Sequence, residues 1–293
     1  MPRATSPLRY PGGKTCLYPL VTRILRKNRL ERRHYAEPFA GGAGLALALL
    51  YEGHVSDIHI NDVDASIWAF WYSVLNHTDE FVYRIRKTPI TVEEWRAQRE
   101  IHLQMNEDDP VALGFATFFL NRTNRSGIIK AAGVMGGLDQ SGPYKLDCRF
   151  NRADLERRIC RVAKYRNRIH LTRRDALAFI QDISTNLPIT TFFCVDPPYF
   201  NKGKGLYTSF YDTEDHAVLA NTILSLQNPW IVTYDQVPAI SKLYRDRRQY
   251  QFDITYSVET KRRATELLIA SKGLRLPIEV RDRQVSRPQY RAA

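Results

Sequence analysis

Several things are scarce in this 293-residue sequence, and each scarcity excludes something. The longest apolar run, "GLALALLY" from Gly44 to Tyr51, is far too short to cross a bilayer, and the opening "MPRATSPLRY" lacks the apolar core of a secretion signal. A cytoplasmic protein without membrane association is therefore expected. Cysteine occurs four times, at 16, 148, 160 and 194, with no Cys-x-x-Cys pair and no histidine at ligand spacing. That pattern argues against a disulfide framework and a zinc site, and fits a reducing compartment and no metal. Acidic residues are in deficit, 31 against 43 Lys and Arg, leaving a net charge of +12. A polyanionic partner, most simply nucleic acid, follows as the first expectation. No fixed-period repeat and no low-complexity segment is visible.

What is present reads as alternating strands and helices. "HYAEPFAGGAGLALALLYEG" predicts a strand into Glu37, a glycine-rich turn, and a helix from about Gly44 that stops at Gly53. "VSDIHINDVD" predicts a second strand with Asp62 at its carboxyl end, followed by a helix through "ASIWAFWYSVLN". This is one βαβ half of a doubly wound sheet. Between about 64 and 164 the pattern turns helical, broken by the polar, glycine-rich "NRTNRSGIIKAAGVMGGLDQSGPY". The sheet resumes with a strand running to Asp175, a helix, and the strand "TTFFCV". "TEDHAVLANTILSL" is a helix with Asp212 or Thr213 as N-cap, "WIVTYD" a strand, "AISKLYRD" a helix and "ATELLIAS" the last strand. The expected architecture is α/β, a Rossmann-like open doubly wound sheet with a mostly helical insertion. Residues 1–64 and 165–275 would form the catalytic domain, 65–164 a recognition subdomain, and 276–293 a basic, frayed tail.

One corner of the sequence demands more than a turn. "FFCVDPPYF", residues 192–200, ends an apolar strand with an acid, two prolines and an aromatic ring. An exocyclic amine on adenine is a poor nucleophile because its lone pair is delocalised into the ring. Two acceptors, the Asp196 carboxylate and the Pro197 carbonyl, would bond both amine hydrogens and favour a pyramidal, reactive nitrogen. Pro198 would fix that carbonyl, and Tyr199 would stack on a base lifted from its duplex. Upstream, a glycine turn such as "EPFAGGAG" lets the backbone approach a cofactor, and an acid after the next strand holds ribose hydroxyls. Glu37 and Asp62 occupy those places, and taken alone they fit dinucleotide binding equally well.

Together these stretches resemble the Dam-type DNA adenine N6-methyltransferases, a class I methyltransferase family that uses S-adenosylmethionine. "LRYPGGK" (Leu8 to Lys14) is similar to its opening segment, "AEPFAGGAG" to its donor-binding turn, "NDVD" to its ribose-binding acid and "VDPPYF" to its catalytic motif. The resemblance runs from Leu8 to Gly273, with donor motifs first, recognition region next and catalytic motif last. It implies that Tyr10 and Lys14 lie near the donor, with Glu37, Ala40 and Gly41 at its amino-acid end. Asp62 would receive the ribose hydroxyls and Asp175 the donor's adenine, while Asp196, Pro197 and Tyr199 would hold the target base. "FLNRTNRSG" resembles the lead into the DNA-recognition loops, which nominates Arg122, Asn124 and Arg125 for base edges or phosphates. In "FNKGKGLYTSFY", a flap would offer Lys202 and Lys204 to phosphates, and Tyr207 or Phe210 could fill the gap left by a flipped base. His216 is assigned to helix-start hydrogen bonding, and "RILRKNRLERRH" to a solvated helix end. The family often carries Ser-Asn after "WIV", where this chain has Thr233-Tyr234-Asp235.

The leading expectation is a monomeric, site-specific adenine methyltransferase acting on double-stranded DNA, nucleoid-associated or phage-encoded in a bacterial host. It would modify without cleaving, either in a restriction-modification pair with a cognate endonuclease or as an orphan. RNA adenine or protein glutamine remains an alternative substrate, and a catalytically idle DNA-binding module an alternative class.

Overall fold

Apolar runs at the heart of the chain become parallel strands: β1 (Arg33–Glu37), β2 (Val55–Asn61), β3 (Ile169–Thr172), β4 (Phe192–Val195) and β5 (Trp230–Asp235). Three antiparallel strands complete the sheet, β6 (Arg248–Tyr256), β7 (Arg262–Ala270) and β8 (Gln284–Ser286). The computed structural model describes residues 5–10, 12–200, 211–256, 262–281 and 283–286, and orders the strands β3-β2-β1-β4-β5-β7-β6-β8. The order reverses between β1 and β4, which pair in parallel at Tyr35 with Phe192. Open α/β sheets take their ligands at the carboxyl ends of the strands flanking such a reversal. Here those ends carry Glu37 and Asp196.

Strand β4 is buried along its whole length because both of its faces are covered. Phe192 and Cys194 point into one core with Leu20, Ile24, Leu45, Leu49, Ile58 and Ile60; Phe193 and Val195 point into the other with Phe179, Leu219, Trp230 and Ile240. The first face is covered by α1 (Tyr18–Lys27) and α2 (Gly44–Tyr51), the second by α8 (Ala176–Asn186), α9 (Thr213–Ser225) and α10 (Pro238–Leu243). Of the two N-cap candidates for α9, Asp212 makes the cap, in a reciprocal box with Asp215.

The region 65–164 holds α3 (Ala65–Asn76), α4 (Thr78–Lys87), α5 (Val92–Gln104), α6 (Pro110–Thr123) and α7 (Arg152–Lys164). Side chains of Asp64, Thr91, Asp109 and Asn151 cap α3, α5, α6 and α7 by accepting backbone N–H bonds. Helices α3 and α6 cross closely at Gly114, where a Cβ would lie 2.5 Å from the Ala69 carbonyl oxygen. Phe70, Phe81, Phe115 and Phe118 fill the space around that crossing and belong to the same apolar cluster as Tyr35 and Ile58 of the sheet. No α-helix forms between α6 and α7, in keeping with the glycine-rich break.

Three expectations need correction. Strand β6 was not read from the sequence, although Tyr250, Phe252, Ile254 and Tyr256 alternate at strand period. Gln249, Gln251 and Asp253 between them masked the signal, and β6 now pairs with β7 along its whole length. The tail begins later than 276, because Leu276 and Val280, the latter in α11 (Ile278–Arg281), are buried and β8 pairs with β6. Likewise "RILRKNRLERRH" is only partly solvated: Ile24, Leu25 and Leu30 are core residues, and Arg33 opens β1. No helix of the described residues is long and apolar enough to cross a membrane.

Candidate functional site

Donor-side residues converge on the turn between β1 and α2. Gly41 has φ +45°, and a Cβ there would sit 2.6 Å from the Tyr10 ring, so both conformation and space demand glycine. The turn is tied to the end of β2: Ala40 N–H donates to the Asn61 carbonyl at 2.8 Å, and Gly41 N–H donates to Asp62 Oδ2 at 2.8 Å. Trp71 of α3 donates its indole N–H to the Gly41 carbonyl at 2.8 Å. Asn61, fully buried, gives Nδ2 to the Pro38 and Arg174 carbonyls and accepts from Thr172 Oγ1 and Arg174 N–H, which binds the ends of three strands together. Burial pushes the Asp62 carboxyl up to about 7, against the lowering effect of the Asp64 and Gly41 N–H groups. Burial also pushes Glu37 up to about 8, although the Tyr35 hydroxyl donates to it at 2.7 Å. Asp175 stands exposed at the same edge and caps α8 through the Leu177 and Ala178 N–H groups.

Across the sheet reversal, Asp196 is held from both sides. Lys14 Nζ donates to Asp196 Oδ2 at 2.7 Å, and Thr233 Oγ1 donates to Asp196 Oδ1 at 2.7 Å. Lys14 is itself buried; it also donates to the Gly12 carbonyl at 2.9 Å and the Tyr199 hydroxyl oxygen at 3.2 Å. Tyr199 donates in turn to Glu266 Oε1, and Glu266 Oε2 lies 3.8 Å from Lys14 Nζ. Asp235 Oδ1 accepts the Phe200 N–H at 3.0 Å and so anchors the chain just past the motif. The donor-side segment, the catalytic corner and β7 therefore meet around one lysine. A family model for the D12 class N6 adenine-specific DNA methyltransferases matches residues 10–263.

The chain belongs to that family. The class of reaction is thus N6 methylation of adenine in DNA, on a fold of the class I methyltransferase type. No curated protein sequence matches the chain. Among the described residues of this D12-class methyltransferase, no group of His, Cys, Asp and Glu could hold a metal ion.

Two residues nominated for DNA are not at the surface. Arg122 is buried and donates Nη2 to the Pro7 carbonyl; burial, with Arg158 and Arg9 nearby, lowers its pKa to about 9. Asn124 is buried too: it donates Nδ2 to the Ile128 and Ile129 carbonyls and accepts the Trp95 indole N–H at 2.6 Å. Both side chains serve the backbone, because the chain leaving α6 turns back on itself and exposes carbonyls that must be satisfied. Arg125 remains exposed. Lys202, Lys204, Tyr207 and Phe210 lie outside the described residues. His216 serves the helix start as expected, its backbone N–H donating to the Asp212 carbonyl at 3.1 Å, and its buried side chain sets Nδ1 2.9 Å from the Tyr234 hydroxyl.

Sequence reasoning missed Asn61, Thr233 and Glu266. Thr233 lay in the tripeptide that departs from the family pattern, and each member of that tripeptide has a partner: Thr233 with Asp196, Tyr234 with His216, Asp235 with Phe200. Glu266 carried a readable signal, a lone acid opening the apolar run "LLIA".

Proposed function

We propose that this D12-class enzyme transfers a methyl group from S-adenosylmethionine to the exocyclic amine of an adenine flipped out of double-stranded DNA. The observation that carries the reading is the double clamp on Asp196, with Lys14 on one carboxylate oxygen and Thr233 on the other. A carboxylate so fixed keeps lone pairs in one orientation, the requirement for holding an amine hydrogen while the nitrogen reacts.

The residues on the donor side fit S-adenosylmethionine. Asp62 is a buried carboxyl with few hydrogen-bond donors, suited to two ribose hydroxyls, and Glu37 is a buried acid whose raised pKa a neighbouring ammonium or sulfonium would relieve. Tyr10, Ala40 and Gly41 would line the donor's amino-acid end, Lys14 would stand beside it, and Asp175 would take its adenine. When bound, the donor supplies a methyl group activated by a positive sulfur.

At the acceptor, Asp196 and the Pro197 carbonyl would receive the two N6 hydrogens, and the Tyr199 ring would stack on the base. Held this way, the N6 lone pair would take up the methyl group as its bond to the donor's sulfur is given up, and one N6 proton would leave to water. Arg125, Lys202 and Lys204 are proposed as phosphate or base contacts, consistent with the +12 charge. The enzyme would act as a monomer, with or without a cognate endonuclease, in the cytoplasm of a bacterial host.

The test is labelled methyl transfer into unmethylated genomic DNA followed by nucleoside analysis, with Asp196→Ala alongside. Label in N6-methyladenine that disappears in the variant is the expected result. Donor binding without label in adenine would sink this reading.

A further inference from the structure

Glu266 is the one acid in the final stretch of β7, where Leu267, Leu268, Ile269 and Ala270 are all buried. It is 2% exposed, and strand pairing sets it opposite Asp235 on β5 and Phe252 on β6, neither of which calls for a carboxylate. Burying a carboxyl group beside a second acid costs stability, and a leucine of similar length would pack the same space at lower cost. Such a residue is retained for what it touches.

It touches the catalytic corner from behind. Because β7 runs antiparallel to β5, Glu266 in the middle of β7 pairs with Asp235 at the carboxyl end of β5, the strand next to the one that leads into Asp196. Glu266 accepts the Tyr199 hydroxyl and flanks Lys14 Nζ at 3.8 Å, while Lys14 reaches both Tyr199 and Asp196. Lys14, Tyr199 and Glu266 thus close a ring, to which Asp196 is joined through Lys14. Tyr199 has its hydroxyl end inside that ring, so the acceptor for its proton determines where the aromatic ring lies.

We propose that Glu266 is a positioning residue for methyl transfer, which fixes the Tyr199 ring and, through Lys14, the Asp196 carboxylate in the register a flipped base requires. The proposal rests on the functional reading above, in which Asp196 and Tyr199 hold the adenine. Glu266 does not touch the base itself. A small rotation of Tyr199 or of the Lys14–Asp196 pair would leave binding largely intact and spoil the alignment on which the rate depends.

Glu266→Leu and Glu266→Gln in the full chain test this, with Tyr199→Phe and both double variants. Leucine removes the acceptor of the Tyr199 hydroxyl and a carboxylate flanking Lys14, so kcat is expected to fall at least about tenfold in protein that still folds, as checked by circular dichroism. Glutamine keeps a carbonyl oxygen for the Tyr199 hydroxyl, and kcat is expected to return to within about threefold of wild type. Donor and DNA dissociation constants, measured by calorimetry and fluorescence anisotropy, should stay within about threefold in both. In the Tyr199→Phe background the Glu266→Leu loss should shrink, since the hydroxyl it acts through is already gone. Full kcat in Glu266→Leu, equal losses in the leucine and glutamine variants, or strictly additive losses with Tyr199→Phe would each overturn the proposal. A wild-type enzyme that binds donor but puts no label into adenine would instead overturn the functional reading.

Discussion

Two buried polar networks in this molecule differ in what they hold. At the end of α6, Asn121, Arg122 and Asn124 spend their side chains on backbone: Asn121 pairs with both the N–H and the carbonyl of Arg9 and also bonds the Gly127 carbonyl. At the carboxyl edge of the sheet, Lys14, Asp196, Tyr199, Thr233 and Glu266 bond chiefly to one another. Side chains committed to backbone have fixed partners and serve architecture. Side chains facing other side chains keep charge and acceptor capacity that a ligand can use, and there the pKa values of Glu37 and Glu266 are displaced upward by burial.

The sharpest test of that difference is Asp196→Ala. Methyl transfer should fall about a thousandfold, the scale for losing one preorganised group at a reacting centre. Thermal unfolding should change little, and donor should still bind. Asn124→Ala is its counterpart on the other network. It strands the Trp95 indole N–H and two carbonyls, so urea unfolding should show a loss of roughly 2–3 kcal/mol. The comparison breaks if Asn124→Ala keeps its stability and instead relaxes sequence preference on DNA.

Smaller effects probe the donor side. Gly41→Ala places a Cβ against the Tyr10 ring in a left-handed conformation, and donor affinity by calorimetry should fall about tenfold, or ~1.4 kcal/mol. The smallest change concerns pH. Glu37 has its folded pKa raised to about 8 from 4.5, so the folded state binds its proton more tightly than the unfolded chain. Its contribution to stability is full below about pH 4.5 and is lost as pH rises through about 8. Without donor, Glu37→Gln should therefore match wild type near pH 5 and exceed it by on the order of 1 kcal/mol at pH 9. Parallel curves at both pH values would show that burial does not hold a proton there.

Much of the molecule could be read in the linear chain. The glycine turn, the acid after β2, the Asp-Pro-Pro-Tyr corner and the alternation of strands and helices all depend on neighbours within a few residues, and the fold carries each of them. Strand β6 escaped because the glutamines and the aspartate interleaved with its apolar residues resemble a loop until a partner strand covers one face. Arg122 and Asn124 were misplaced for a related reason. A polar run after a helix looks solvated, and only the path of residues 5–9 and 125–134 shows which carbonyls those side chains must satisfy.

By itself the sequence determined the chemistry available: which residues can accept an amine hydrogen, which turn admits a close ligand, and which strands are buried on both faces. Those properties are local, set by side-chain type and short-range spacing. Tertiary structure decided which of the polar residues meet. Lys14 and Asp196 are separated by 182 positions and Tyr199 and Glu266 by 67, yet the sheet reversal and the antiparallel β7 bring all four to one edge. Contacts at such separations are chosen by the packing of whole elements, and no short window of sequence records that choice.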